Sequence, residues 1–189
     1  MKKKTVVFIK GTRLYLRPLS IEDVPTIQRY ANDPEVRHYV SNVYPLSLQE
    51  EKKWVEEAMK RDKEDILFVV CLKKSDKLLG LMGLHGINYV DGTASTGTLF
   101  GAKEEWNKGY AQEAKMLLLE YAFLTLNLRK VCSAAFLENK GSIQHNKNCG
   151  YVVEGILKKH WYRDGTYHNK VLLSVFKKDW MKIKKQNEL

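Results

Sequence analysis

Apolar and polar positions alternate with a period that changes from segment to segment along the chain. From Thr5 to Arg17 the apolar positions Val6, Phe8, Leu14 and Leu16 fall at even spacing. That predicts a first strand region, interrupted near Gly11 and stopped at Arg17-Pro18. Ser20, with Asp23 three residues on, predicts a capping box. Ile21, Val24, Ile27 and Tyr30 then recur at helical spacing until Asn32-Asp33-Pro34. A second capping pattern, Ser47-Leu48-Gln49-Glu50, opens a helix with Trp54, Val55, Ala58 and Met59 on one face.

The period then shortens. Ile66 to Leu72 is a nearly continuous apolar run, expected as a strand buried on both sides. The charged turn Lys73 to Lys77 reverses it into Leu78 to Leu84, where Gly80 and Gly83 predict a bulge or a close backbone approach. Asp91-Gly92 is a hairpin signal leading into a strand over Ala94 to Phe100. Ala111, Ala114, Leu118, Tyr121, Ala122 and Thr125 return to three- and four-residue spacing and predict a long helix. Beyond it come a strand over Arg129 to Phe136 and a short helix from Asn139 through Ile143 to Cys149-Gly150. Two final strands, Tyr151 to Leu157 and Tyr167 to Phe176, are joined across Asp164-Gly165. The stretch from Lys177 onward is polar and is expected to fray. The predicted order is strand, two helices, three strands, helix, strand, helix, two strands.

Composition narrows this picture only slightly. A chain of 189 residues with 44% hydrophobic and 29% charged residues suits one folded domain spanning 1–189, with its core over about 10–180 and basic ends. No apolar run approaches the ~20 residues of a membrane span. The start, MKKKTVVFIK, has an apolar run shorter than the ~7 to 15 residues of a secretory signal, so a cytoplasmic protein is expected, with no membrane partner. Cys71, Cys132 and Cys149 are odd in number and lack a C-x-x-C spacing, and the five histidines form no H-E-x-x-H pattern. The expectation is buried thiols and no metal.

Charge changes the picture more. Thirty-two basic against 22 acidic residues leave +10, which favours an anionic partner, either nucleic acid (including a ribosome contact) or a phosphorylated cofactor. Part of the excess sits in Lys2 to Lys4 and in Lys177, Lys178, Lys182, Lys184 and Lys185, runs that read as solvated ends. The more local signal is EWNKGYAQEA, Glu105 to Ala114, which turns at Gly109 into the long helix. A helix start offers unpaired N–H groups and the positive end of its dipole, and a glycine there lets a pyrophosphate approach the backbone. Lys108 adds a charge.

The loop Trp106, Asn107, Lys108, Gly109, Tyr110, Ala111 resembles the acyl-CoA pyrophosphate loop, Q/R-x-x-G-x-G/A, of the GNAT acetyltransferases. Its W-x-K-G-Y-A form, with Trp in place of Gln or Arg, is that of the RimJ/RimL-like branch. ASTGTLFG (Ala94 to Gly101), NKGSIQHNKNCGYVVEGIL (Asn139 to Leu157) and WYRDGTYHNKVLLSVFKKDW also resemble that family, and the closing segment is similar to spermidine acetyltransferases as well. The resemblance covers roughly residues 10 to 180. It implies an α+β, three-layer fold with a mixed, mostly antiparallel, splayed sheet of about six to seven strands flanked by about four helices.

The same resemblance implies acetyl-CoA as cosubstrate. Its pantetheine arm would pair with Leu99, Phe100 and Gly101, its pyrophosphate would rest on the amides of Asn107 to Gln112, and Asn139 would bond the arm from the other side. An oxyanion donor is implied at the N–H near Leu99. His38, Tyr39 and Tyr44, in the aromatic stretch Glu35 to Pro45, become acceptor contacts, unless these rings only pack the loop onto the core.

Two departures bear on mechanism. Many relatives carry Glu where Ser95 stands and Tyr where Asn146 stands, and neither residue here titrates. Ser142 near the thiol and His85 or His145 as base are the remaining candidates. A missing base suits an acceptor of low pKa: an α-amine near ~7.8 is neutral in about one molecule in seven at pH 7, a lysine-like amine near ~10.4 in about one in 2,500. Protein N-termini therefore come first among acceptors, polyamines second and amino sugars or aminoglycosides third. The rival is a non-catalytic acyl-CoA-binding module. A homo-oligomer is open.

Overall fold

The computed structural model describes residues 6–40, 42–60 and 64–187. They form one eight-stranded sheet. Its strands are β1 (Ile9–Lys10), β2 (Leu14–Pro18), β3 (Ile66–Leu72), β4 (Leu78–Asn88), β5 (Thr93–Phe100), β6 (Lys130–Phe136), β7 (Val152–Arg163) and β8 (Thr166–Phe176), in the order β1-β2-β3-β4-β5-β6-β8-β7. Every pairing is antiparallel except β5 with β6. The helices are α1 (Val24–Asn32), α2 (Pro34–Arg37), α3 (Leu48–Lys60), α4 (Tyr110–Glu120), α5 (Lys140–Asn148) and α6 (Lys177–Asn187).

The apolar run in β3 has a direct structural reason. Phe68, Val70 and Leu72 enter the core beneath α4, while Val69 and Cys71 face the opposite core with Val24, Ile27 and Val55 of α1 and α3. Helices cover both faces, so neither alternate position can be polar. Gly80 marks a close approach: a Cβ there would run into the carbonyl oxygen of Leu99 on β5. Both glycine-bearing turns take up left-handed backbone, at Gly92 (φ 63°) and at Asp164 and Gly165 (φ 47° and 80°). Ser20 starts the first helical segment as its pattern predicts, its N–H donating to the Asp23 carboxylate at 3.0 Å.

Several expectations need correction. The sheet has eight strands because the first strand region is two, paired across the turn at Gly11. Instead of fraying, the stretch from Lys177 folds as α6: Trp180 is fully buried, its ring 5.4 Å from that of Phe123, and Lys184 reaches Glu120 at 2.6 Å. One buried Trp outweighs the polarity of its neighbours, since a Trp side chain removes a large apolar area from water. Met59 lies exposed on α3, and Glu51 is buried in its stead, its carboxyl pushed up by that burial. The long helix buries Ala114, Leu118 and Ala122 of its predicted face and adds Lys115, Leu119 and Phe123, but Thr125 is exposed, where the helix widens into a π-helical turn at Tyr121–Thr125. Cys71 and Cys149 are buried, whereas Cys132 is only half-buried.

Candidate functional site

The site begins where the sheet stops being a sheet. β5 and β6 pair only over Thr93–Ser95 and Lys130–Cys132, although β5 runs on beside β4 to Phe100 and β6 beside β8 to Phe136. Parallel pairing ends at that point, so the edge of Thr96 to Phe100 is open to an added extended segment. Thr96 closes the vertex, its Oγ1 donating to the Cys132 carbonyl at 3.2 Å. Of the arm-contact candidates, Leu99 and Phe100 lie on this edge. Gly101 lies just past it, where any Cβ would penetrate the Tyr30 ring. The Phe100 carbonyl already accepts a bond from the Trp106 indole Nε1 at 2.9 Å, so Trp106 pins the following loop to the strand.

That loop has the geometry of an anion cradle. Asn107 and Gly109 both have left-handed φ, 62° and 79°, which turns successive amides toward one side. Glu113 N–H donates back to Gly109 O at 3.1 Å, and the amides of Gly109, Tyr110, Ala111 and Gln112 ahead of it have no acceptor among the described residues. Lys108 is held by Glu105 at 2.8 Å, and Lys77 reaches the same carboxylate at 3.0 Å; together they pull the Glu105 carboxyl down to about 2. The free amides, the positive end of α4 and a glycine whose Cβ position faces a guanidinium fit a pyrophosphate.

That guanidinium belongs to Arg13, which the sequence pattern did not single out. Its Nε lies 2.7 Å from Glu113 Oε2, its NH1 donates to the Lys108 carbonyl at 3.0 Å, and its plane covers the Tyr110 ring at 4.6 Å. Arg13 precedes Lys108 by 95 positions. No local signal reports that separation.

The face of β5 turned away from α4 carries Ser95, Gly97 and Leu99. His85, the ladder partner of Ser95, lies across Gly97, where a Cβ would meet its Nε2 at 2.7 Å. Its Nδ1 is 3.6 Å from Asp65 Oδ1. Farther along the same face, His38 and Tyr39 are brought together with Phe136 of β6: Tyr39 packs on His38 at 4.6 Å and on Phe136 at 6.1 Å, and Asp164 Oδ2 lies 3.1 Å from His38 Nδ1. Tyr44 stays apart, 77% exposed.

On the other side, α5 is capped by Asn139, whose Oδ1 accepts from Ser142 N–H at 2.9 Å, and Asn146 Nδ2 bonds back to Ser142 O at 2.8 Å. His145 of α5 is half-buried, with its Nε2 enclosed. Burial, helped by the charge of Lys115, pushes it down to about 4, so it is neutral near pH 7 and too weak a base to hold an amine's proton.

The geometry can be set beside known proteins. The profile of the acetyltransferase (GNAT) domain matches residues 13–152. The chain belongs to the GNAT acetyltransferases. It is 28% identical over 167 residues to the spermidine N(1)-acetyltransferase of Escherichia coli, covering 88% of this chain and 87% of that one. It is 27% identical to the uncharacterized N-acetyltransferase p20 of Bacillus licheniformis, covering 89% and 95%. The crystal structure of spermidine N-acetyltransferase from Vibrio cholerae in complex with CoA and spermine superposes with a TM-score of 0.83 at 26% identity, over 89% of this chain and 98% of that one.

This GNAT protein is therefore an acyl-CoA-dependent N-acetyltransferase that uses acetyl-CoA. Among the described residues no group of three His, Cys, Asp or Glu could hold a metal ion, and no helix is long and apolar enough to cross a membrane.

Proposed function

We propose that this acetyltransferase acts on a primary amine of a small polycation of the polyamine class, with His85 as the base. The observation that carries the reading is the His85–Asp65 pair, set across Gly97 on the open face of β5. An alkylamine near ~10.4 is almost wholly protonated at neutral pH, so it needs a base at the point of attack. Asp65 Oδ1 accepts from Gly86 N–H at 2.9 Å and stands 3.6 Å from His85 Nδ1, where its charge favours an imidazolium, while Nε2 on the Gly97 side would receive the proton.

Carboxylates beside three histidines support a cationic acceptor. Asp65 lies by His85, Asp164 by His38, and Glu138 Oε1 3.5 Å from His168 Nδ1, all on a chain whose overall net charge is +10. Similarity to the spermidine acetyltransferases points the same way, and it reverses the order of acceptors drawn from the residues alone.

Bound acetyl-CoA supplies an activated acyl group. In this reading the edge of Thr96 to Phe100 holds the arm, and the amides of Gly109 to Gln112, with Arg13 beside them, hold the pyrophosphate. Ser142 and Asn139 at the start of α5 line the arm's other side.

A second reading, acetylation of protein N-terminal α-amines, draws on the RimJ/RimL-like form of Trp106 to Ala111 and on the non-titrating Ser95 and Asn146. Thiol release from acetyl-CoA, measured with spermidine, spermine, N-terminal peptides and an amino sugar, separates the two. A polyamine kcat/KM about tenfold or more above that of any peptide is expected; a peptide turned over faster than every polyamine overturns the polyamine assignment.

A further inference from the structure

Lys115 is the most unusual side chain in the molecule. It is 1% exposed, on the face of α4 that packs against β5 and α5, and its Nζ donates to Thr96 Oγ1 at 2.8 Å. The Tyr151 ring lies 5.7 Å from Nζ. The titratable groups facing it are His145 on α5, Cys149 just past its end and Tyr151 just ahead of β7; no carboxylate joins them among the described residues. Around this cation three buried polar atoms lack a well-formed hydrogen bond: His145 Nε2, Asn146 Oδ1 and the Tyr151 hydroxyl. Buried polar atoms left open in this number mark either a chamber that holds water or a site that transfers protons.

The position of Thr96 gives the cluster a direction. It is the first residue of β5 beyond the paired vertex, so its hydroxyl stands between Lys115 and the gap between β5 and β6. We propose that Lys115, acting through the Thr96 hydroxyl, supplies the proton taken up by the departing thiol of the acetyl donor. This rests on the reading that puts the donor's arm in that gap. As the carbon–sulfur bond breaks, its electron pair goes to sulfur. Thr96, whose hydroxyl rotates away from the Cys132 carbonyl, passes its proton to that sulfur and receives one from Lys115 Nζ. The amine left on Lys115 regains its proton by the same route, through Thr96 from water that enters the gap after the thiol leaves, and that proton balances the one the acceptor nitrogen gives up through His85.

The chemistry of the cluster suits this. Asn146 has no proton to give at neutral pH, and the Cys149 thiol is pushed up by burial to about 12. Burial pulls Lys115 down to about 8, close to the ~8.5 of a free thiol, and a donor matched to its acceptor transfers a proton with little loss in either direction. Lys115 thus has a depressed affinity for its proton and a single hydroxyl in reach at the one point where the sheet opens.

The test titrates the thiol of bound CoA by its thiolate ultraviolet absorbance, alongside the CoA dissociation constant and the pH profile of kcat. Wild type is expected to hold the thiol about one pKa unit or more below its value in Lys115→Met, with CoA affinity within about threefold between the two. In turnover, kcat falls as pH rises through about 8 in wild type, and Lys115→Met loses about 10²-fold or more together with that alkaline limb. Thr96→Val abolishes the thiol shift and Thr96→Ser restores it.

An unchanged thiol titration in Lys115→Met, or an alkaline limb that persists in it, overturns the proposal while leaving the cofactor site standing. Failure of wild type to bind CoA overturns both. Loss of a buried cation without a carboxylate partner does not threaten the fold, which keeps the variant measurable.

Discussion

The two sides of β5 hold the same kind of group, a nitrogen base, in opposite surroundings. On one side His85 is about one-third exposed, with Asp65 at 3.6 Å and a carboxylate by each of two further histidines. On the other Lys115 of α4 is enclosed against β5 and α5, with a neutral hydroxyl as its one hydrogen-bond partner among the described residues. On the proposed polyamine reading, the acceptor is steered to the first side and excluded from the second. The difference teaches where each half of the chemistry belongs: an amine must arrive from water and lose a proton there, whereas a leaving thiol needs a proton delivered from a place the acceptor cannot reach. Low dielectric on the sealed side depresses the lysine's proton affinity, and no carboxylate opposes that effect.

Four measurements break or sharpen this comparison. His85→Ala is expected to lower kcat/KM for a polyamine by about 10² to 10⁴-fold, equivalent to about 3 to 5 kcal/mol, while stability changes by less than about 1 kcal/mol. Equal losses in activity and in thermal stability would move His85 from the chemistry to the scaffold.

The sealed side responds to pH through stability. His145 is held at about 4 in the fold against ~6.5 unfolded, so the unfolded chain binds more protons between those values. Stability is present above ~6.5 and falls, by up to about 3 kcal/mol, as pH drops to 4. Denaturant titrations of wild type and His145→Gln between pH 4 and 7 check this, the variant lacking that component.

Lys115 follows the same sign at alkaline pH. Its folded value of about 8 lies below the unfolded value of 10.5, so its penalty is largest below pH 8 and disappears as pH rises through 10.5. Lys115→Met should therefore be more stable than wild type at pH 7, by about 1 to 3 kcal/mol, a gain that shrinks toward pH 10; calorimetry at the two pH values decides it.

Gly109→Val carries the smallest expected energy. A branched side chain at a left-handed position, facing Arg13 and the cradle, should raise the CoA dissociation constant by about tenfold or more, equivalent to about 1.4 kcal/mol or more. Isothermal titration reads this directly, and an unchanged constant would remove the pyrophosphate from this loop.

Local patterns were read correctly where one short stretch carried the whole signal. The limits of β3 followed from seven apolar residues in a row, the loop at Gly109 from its glycine and the helix behind it, and the hairpins from their Asp-Gly pairs. Patterns failed where one distant contact outweighed composition: Trp180 fastened a lysine-rich stretch to the core, and Glu51 replaced Met59 beneath α3.

The sequence by itself determined the central order of elements, the helix start at Gly109 and the family to which they belong, because each rests on residues adjacent in the chain. Only the tertiary structure decided that Arg13 crosses to Lys108, that His85 stands over Gly97 with Asp65 behind it, and that Lys115 lies buried against Thr96. A lysine one residue past Ala114 on an amphipathic helix reads as a solvated flank. It is enclosed here because α5 and Tyr151 close over it, and that packing is a property of elements some 30 to 40 residues downstream, invisible to any periodicity within the helix itself.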